Sequence, residues 1–196
     1  MKKTLALLSI LAIALPAFAD HHEGHAKDET AAANDWAKYS TPGQHHAFFK
    51  DLVGKWKAES KFWMSAGTAP STSKGSNTNK LIMDGRFLQS EMKATAMGKP
   101  FHGMGTLGYD SLNEQYQSSW IDNMGTSITV AKGTFDAKTK TLTNTGTIAD
   151  PMTGQKDKWF RDEWKLVSKN EYTYSMFLKD ADGKEFKNLE ITYKRM

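Results

Sequence analysis

The chain lacks cysteine entirely, since none of its 196 residues carries a thiol. This absence excludes disulfide bonds, thiolate chemistry and lipid attachment of the lipoprotein type. The fold must therefore be stabilised by its core alone, which a chain of this length can provide.

The sequence also lacks a strong excess of charge of one sign and, after its first residues, any long apolar run. Its formal net charge is +4, from 26 basic and 22 acidic residues that are interspersed along the chain. Because no basic stripe with interleaved aromatic residues occurs, nucleic-acid binding is disfavoured. The single apolar run is well below the ~20 residues of a membrane span, so no span is expected in the mature chain.

The N-terminus has the features of a cleavable export signal. Lys2 and Lys3 form a charged start, Leu5 to Leu15 is apolar, and Ala17-Phe18-Ala19 supplies the small residues that a signal peptidase needs. We therefore expect residues 1–19 to be a signal peptide and the protein to be periplasmic or secreted.

Residues 20–35 are polar and alanine-rich without periodicity, which is typical of a disordered tether. Cleavage before Asp20 would leave an N-terminus of Asp20-His21-His22. A free amine with histidine in third place can surround Cu(II) or Ni(II) with four nitrogen ligands, and His25 is close enough to add an imidazole. The tether thus predicts copper or nickel binding, unless it is simply a soluble, histidine-rich linker.

The remainder, residues 36–196, is expected to form one all-β domain with a short capping helix at 42–53. From Lys55 onward, polar turn signals recur about every 12 residues and separate alternating, threonine- and aromatic-rich segments, which predicts about ten antiparallel strands. A sheet of that length must curl, split or close. Repeated glycines in 103–108 favour closure into an up-and-down barrel over the alternative two-sheet sandwich.

The ends of the predicted sheet carry a further pattern. Gly54-Lys55-Trp56 opens the first strand and Arg195 lies at the end of the last. This combination resembles the signature of calycins, the barrels of lipocalin and fatty-acid-binding-protein type. The resemblance implies that the Arg195 guanidinium lies across the Trp56 indole at the closed end of the barrel.

A longer set of short motifs resembles the bacterial family catalogued as domain of unknown function 1579. The resemblance implies a calycin-like barrel but supplies no activity and no catalytic residues. Its motifs are Trp36-Ala37-Lys38-Tyr39, Thr41-Pro42-Gly43, His45-His46, Gly85-Arg86-Phe87-Leu88-Gln89-Ser90-Glu91, Gly108-Tyr109-Asp110, Trp120-Ile121-Asp122, Met124-Gly125-Thr126, Asp150-Pro151-Met152-Thr153-Gly154 and Glu190-Ile191-Thr192-Tyr193.

A barrel of about ten strands has room for a small ligand, and methionine suits a cavity that accepts varied apolar guests. We therefore expect the protein to bind a small, mostly apolar molecule in its interior, the alternative being an interior filled by its own side chains. Strand alternation assigns the ligand contacts to Phe62, Gln89, Glu91, Tyr116, Trp120, Tyr174 and Met176.

A second alternative is an enzyme that uses an inward-facing carboxylate in the same cavity. Alternation places Asp162 on the same face as Phe160 and Trp164, so Asp162 is expected to face inward. His102 is also expected to face inward, together with Met104. Because burying an unpaired charge costs free energy, a buried carboxylate would indicate a functional role such as acid–base catalysis. No Ser-His-Asp order or nucleophile motif accompanies it, so no catalytic residue is assigned.

Overall fold

The computed structural model describes residues 29–196, so the predicted signal peptide at 1–19 and residues 20–28 lie outside the described residues. Helix α1 spans Glu29–Ser40, a 3-10 turn spans Gln44–His46, and helix α2 spans Ala47–Leu52. Ten strands follow: β1 Gly54–Phe62, β2 Ser71–Ile82, β3 Phe87–Ala96, β4 Lys99–Asp110, β5 Gln115–Asp122, β6 Thr129–Asp136, β7 Thr141–Asp150, β8 Gln155–Ser168, β9 Glu171–Lys179 and β10 Glu185–Arg195.

The ten strands form one closed antiparallel barrel, which confirms the predicted fold class. Each strand pairs with its neighbours in sequence, and β1 pairs with β10 to close the ring. The closing register runs from Trp56 opposite Arg195 to Phe62 opposite Leu189. Closure leaves no unpaired strand edge, which excludes the two-sheet alternative.

The helical segment differs from the prediction of one helix at 42–53. The 3-10 turn and α2 occupy most of that range, but α1 lies before it and includes residues 29–35, which were expected to belong to the tether. The alanines at 31–33 favour this helix because alanine has the highest helix propensity. The Thr41 hydroxyl, just after α1, donates to the Ala37 carbonyl at 2.6 Å. None of the described helices is long and apolar enough to cross a bilayer.

Helix α2 closes one end of the barrel, which we call the capped end. Its Phe48, Phe49 and Leu52 side chains are buried in the core, where Phe48 contacts the rings of Tyr116 and Phe135 and Phe49 contacts Tyr116. The other end, where β1 finishes and β2 begins, is the open end.

The predicted pairing of Trp56 with Arg195 is confirmed at the capped end. The Arg195 guanidinium lies 4.1 Å from the centre of the Trp56 ring and donates to the carbonyls of Asp51 and Val53. Trp56 is fully buried, and its Nε1 donates to the Leu52 carbonyl at 2.9 Å. These contacts connect the first strand, the last strand and α2.

Gly54 is required by the same arrangement. Its φ of +134° is a conformation that side chains other than glycine rarely adopt, and a Cβ at this position would lie 2.5 Å from Arg195 Nη1. The glycine of the Gly-x-Trp motif therefore makes room for the guanidinium.

Candidate functional site

Alternate side chains on each strand face the interior, and directly paired residues on neighbouring strands share a face. The middle of the barrel is polar as well as aromatic. Its inward-facing side chains include Asn77, Asn79, Ser90, Ser118, Asn144, Asp162, Trp164, Tyr172, Tyr174 and Tyr193.

Near the capped end, the polar groups satisfy one another. The amides of Asn77 and Asn79 each donate to the Tyr172 hydroxyl at 3.2 Å, and Asn79 also donates to the Leu52 carbonyl. Ser90 donates to Asn77 Oδ1 at 2.9 Å. Burial raises the pKa of Tyr172, so its hydroxyl stays protonated. This network fixes the structure of the closed end.

Farther along the barrel, Asp162 on β8 is only 4% exposed and lies opposite Asn144 on β7. The Asn144 amide Nδ2 donates to Asp162 Oδ1 at 2.7 Å. Burial raises the pKa of Asp162 to about 7 because the carboxylate form is poorly solvated there, while the hydrogen bond from Asn144 opposes the rise. The carboxyl group can therefore gain or lose a proton near neutral pH.

Two buried polar atoms beside this carboxyl group have no hydrogen-bond partner among the described residues: Asn144 Oδ1, an acceptor, and Trp164 Nε1, a donor. The Trp164 indole is near enough to Asp162 to oppose the rise in pKa, but it lacks hydrogen-bonding geometry. An unsatisfied buried polar group typically costs about 1–3 kcal/mol. A bound molecule with complementary polar groups would remove that cost.

We call Asp162, Asn144 and Trp164 the Asp162 cluster. Aromatic rings lie next to the buried carboxyl group of this cluster. The Trp164 ring meets Tyr174 edge-on at 5.2 Å between centroids and is stacked with Tyr172 at 6.3 Å. Tyr172 is stacked in turn with Tyr193 at 4.3 Å. Burial, together with the neighbouring Asp162, raises the pKa of Tyr174 well above its ordinary value, so its hydroxyl stays protonated. The walls are thus flat, apolar surfaces with a polar group at their centre.

The interior retains accessible surface in spite of these rings. Trp120, Trp164, Tyr174, Met176 and Ser118 have inward-facing positions but are only half-buried. The choice between a ligand cavity and an interior filled by its own side chains stays a prediction.

Glycines let large rings lie flat against the wall. A Cβ on Gly103 or Gly105 would lie 2.2 or 2.9 Å from a carbon of the Trp120 ring, and a Cβ on Gly146 would meet Phe160 at 2.9 Å. Trp120 is also fixed by a 3.0 Å hydrogen bond from its Nε1 to Asp122. Rings held against the wall occupy less of the central space.

Five of the seven predicted ligand contacts face the interior, but they lie at different levels. Tyr174, Met176 and Trp120 are inward-facing and half-buried, and Phe62 lies at the open end. Tyr116 is packed beneath α2, where its hydroxyl donates to the His45 carbonyl at 2.8 Å. Burial raises the pKa of Tyr116 to about 12. Tyr116 therefore belongs to the cap.

The structure corrects the placement of Gln89 and Glu91, which lie on the outer face of β3. Leu88, Ser90 and Met92 are the buried residues of that strand, so the alternation is offset by one position from the prediction. A hydrogen bond from Lys93, with its positive charge, lowers the pKa of Glu91.

The expected inward orientation of His102 and Met104 on β4 is also wrong. His102 Nε2 lies 3.1 Å from Glu91 Oε1 on the outer face, and Met104 is 38% exposed. Gly103 and Gly105 hold the inward positions of this strand, beneath Trp120. The expected inward orientation of Asp162 is confirmed.

The predicted metal ligands His21, His22 and His25 lie outside the described residues. Within residues 29–196, no group of three or more histidine or acidic side chains is arranged to hold a metal ion.

Two concave pockets flank the helical cap, separate from the Asp162 cluster. One, of about 200 Å³, lies between the 3-10 turn and the β2–β3 turn and includes His46 and Asp84. The other, of about 320 Å³, is lined by His45, Tyr109, Glu114, Tyr116, Thr134 and Phe135. Both lie at the capped end of the barrel.

The fold and its interior define a calycin-like barrel with a polar cluster at its centre. Residues 41–195 match the family described as "Protein of unknown function (DUF1579)", and the chain belongs to that family. No functionally curated protein matches the chain.

Solved structures of similar fold include Rv2717c from M. tuberculosis, with a TM-score of 0.57 at 15% identity over 80% of this chain and 99% of that one. Another is the S-type phycobiliprotein lyase CPES from Guillardia theta, with a TM-score of 0.55 at 11% identity over 78% of this chain and 92% of that one. At these identities the likeness concerns the fold alone.

Proposed function

We propose that this protein is exported and binds a small molecule inside its barrel. Asp162, Asn144 and Trp164 would be the polar contacts, and Tyr174 and Met176 would form part of the walls. The observation that carries the proposal is a buried carboxyl group inside the barrel that is flanked by an acceptor and a donor without hydrogen-bond partners among the described residues.

The chemistry of the lining supports a ligand that is flat and mostly apolar but has at least one polar group. The aromatic rings offer the apolar surface that the sequence predicts, while the Asp162 cluster gives orientation through a few hydrogen bonds. Ligand sites commonly combine predominantly apolar walls with a small number of placed polar groups.

The proposal of export rests on the sequence of residues 1–19, whose charged start, apolar run and small residues before Asp20 are typical of a signal peptide. In the periplasm or outside the cell, a barrel of this kind would capture, store or carry its ligand.

Ser118 and Ser119 provide a matched pair of variants to test interior binding. Ser118 faces inward beside Ala131, whereas Ser119 faces outward beside Val130, which is 52% exposed. Ser118→Phe should fill interior space and weaken binding of 1-aminoanthracene, a neutral planar fluorophore, by about 10-fold or more. Ser119→Phe should bind the dye like the unmodified protein.

Dye fluorescence titrations measure both affinities, and far-UV circular dichroism verifies that each variant is folded. Equal dye affinity in the two folded variants would refute interior binding, as would the absence of dye binding to the unmodified protein.

A further inference from the structure

Asp162 has no cationic partner among residues 29–196, since no lysine, arginine or histidine there forms an ion pair with it. Lys158 shares its strand and its inward alternation, but the Lys158 ammonium is bound by Asp150 at 2.7 Å. Arg161 lies on the outer face of β8, where it pairs with Glu163 and Glu185. The negative charge of an ionised Asp162 is therefore not balanced by a neighbouring positive charge.

The unused hydrogen-bonding capacity near Asp162 is mainly that of acceptors. Asp162 Oδ1 accepts from Asn144 Nδ2, and Asn144 Oδ1 is buried with no hydrogen-bond partner among the described residues. Because a carboxylate can accept further hydrogen bonds, the Asp162 carboxylate and Asn144 Oδ1 form two neighbouring acceptors. Two neighbouring acceptors require a group with at least two hydrogens to donate. A protonated amine or an amidinium has that capacity and also supplies the missing positive charge.

The surrounding rings favour the same kind of group. The faces of tryptophan and tyrosine rings attract cations, most strongly where water is excluded. Trp164 and Tyr174 pair directly with each other on β8 and β9, one inward position along from the pair of Asp162 and Met176. A carboxylate beside aromatic rings is a suitable environment for an organic cation.

We propose that the ligand is a small organic cation whose protonated nitrogen forms an ion pair with Asp162 and donates a second hydrogen bond to Asn144 Oδ1. This inference rests on the proposed function and names the ligand class for the same site. The apolar body of the ligand would lie between the aromatic walls, and a polar oxygen on it would accept from Trp164 Nε1.

The ion pair makes binding dependent on pH, because only the ionised carboxylate attracts the cation. Asn144 on β7 and Tyr174 and Met176 on β9 face Asp162; only Tyr174 is ionisable, and its phenol stays neutral. Arg161 and Glu163 act from the outer face with opposite effects on the Asp162 pKa. Affinity should therefore fall as the pH drops below the range in which Asp162 ionises.

Competition against bound 1-aminoanthracene tests this inference with three probes that differ in head group: 2-phenylethylamine, 2-phenylethanol and phenylacetate. At pH 8, the amine should displace the dye at a concentration at least about 10-fold lower than the alcohol, and phenylacetate should be the weakest. At pH 5.5, the advantage of the amine should fall by about 10-fold.

Asp162→Asn should abolish the preference for the amine while the dye still binds. Glu91→Gln, which removes a carboxylate from the outer face, is the matched control and should preserve the preference. If the alcohol competes as well as the amine, or if Asp162→Asn keeps the preference, the cation proposal is overturned while interior binding stands. If the dye itself fails to bind the unmodified protein, interior binding fails and the cation proposal fails with it.

Discussion

Replacing Trp56 with alanine is expected to lower the free energy of unfolding by about 4 kcal/mol, the usual cost of removing a large buried ring and leaving a cavity. Trp56 is fully buried, contacts the Tyr172 ring edge-on at 4.7 Å, and donates to the Leu52 carbonyl. The substitution also removes the surface on which Arg195 lies. Urea denaturation followed by far-UV circular dichroism measures the effect.

Trp36→Ala is the matched control, because Trp36 lies on α1 and is 69% exposed. Its effect should be within about 0.5 kcal/mol, as for most surface substitutions. A double-mutant cycle with Arg195→Ala should give a coupling of about 1 kcal/mol between the guanidinium and the indole. A loss below 1 kcal/mol for Trp56→Ala would contradict the role of this pair in closing the barrel.

Replacing Asp162 with asparagine is expected to change how stability depends on pH. The pKa of Asp162 is about 7 in the folded protein and near the ordinary value of 3.8 when unfolded. Between these values the folded state holds a proton that the unfolded state has lost, so stability falls as the pH rises from about 4 to about 7. The total loss is about 4 kcal/mol, since each unit of pKa difference corresponds to about 1.4 kcal/mol.

Asparagine resembles the protonated carboxyl group in shape and does not titrate. The difference in unfolding free energy between Asp162→Asn and the unmodified protein should therefore move in favour of the variant from pH 4 to pH 7 and stay constant above pH 7. The pKa of His46 is lowered, mainly by burial, but its contribution is common to both proteins and cancels in the difference. For the control Glu91→Gln, the difference in unfolding free energy should not move in favour of the variant between pH 4 and pH 7. If the stability of Asp162→Asn and that of the unmodified protein depend on pH in the same way, Asp162 does not bind a proton in the folded interior.

The architecture could be predicted from the sequence because its signals are local. Turn residues and alternating segments mark each strand without knowledge of the rest of the fold. The pairing of Trp56 with Arg195 could be predicted because it joins the first and last strands, which must be neighbours once the sheet is assumed to close. The inward orientation of Asp162 followed from Phe160 and Trp164, which give β8 a clear apolar face.

The candidate site was harder to predict from the sequence, because its members depend on which alternate residues of each strand face the interior of the closed barrel. On β3, the predicted contacts Gln89 and Glu91 share a face with Phe87, which is 38% exposed and lies against Gly108 on the outer face. A one-residue offset exchanges the two faces of a strand. Asn144 gave no signal, because one asparagine in a threonine-rich strand resembles a solvent-facing residue.

Native mass spectrometry of the protein, purified gently from the envelope of cells that express the full chain, tests the central claim most directly. We expect a chain that begins at Asp20 and carries a noncovalent small molecule, and we expect the same molecule on Glu91→Gln but not on Asp162→Asn. A barrel that is free of any small molecule in all three proteins, or equally occupied in all three, would contradict ligand binding through Asp162.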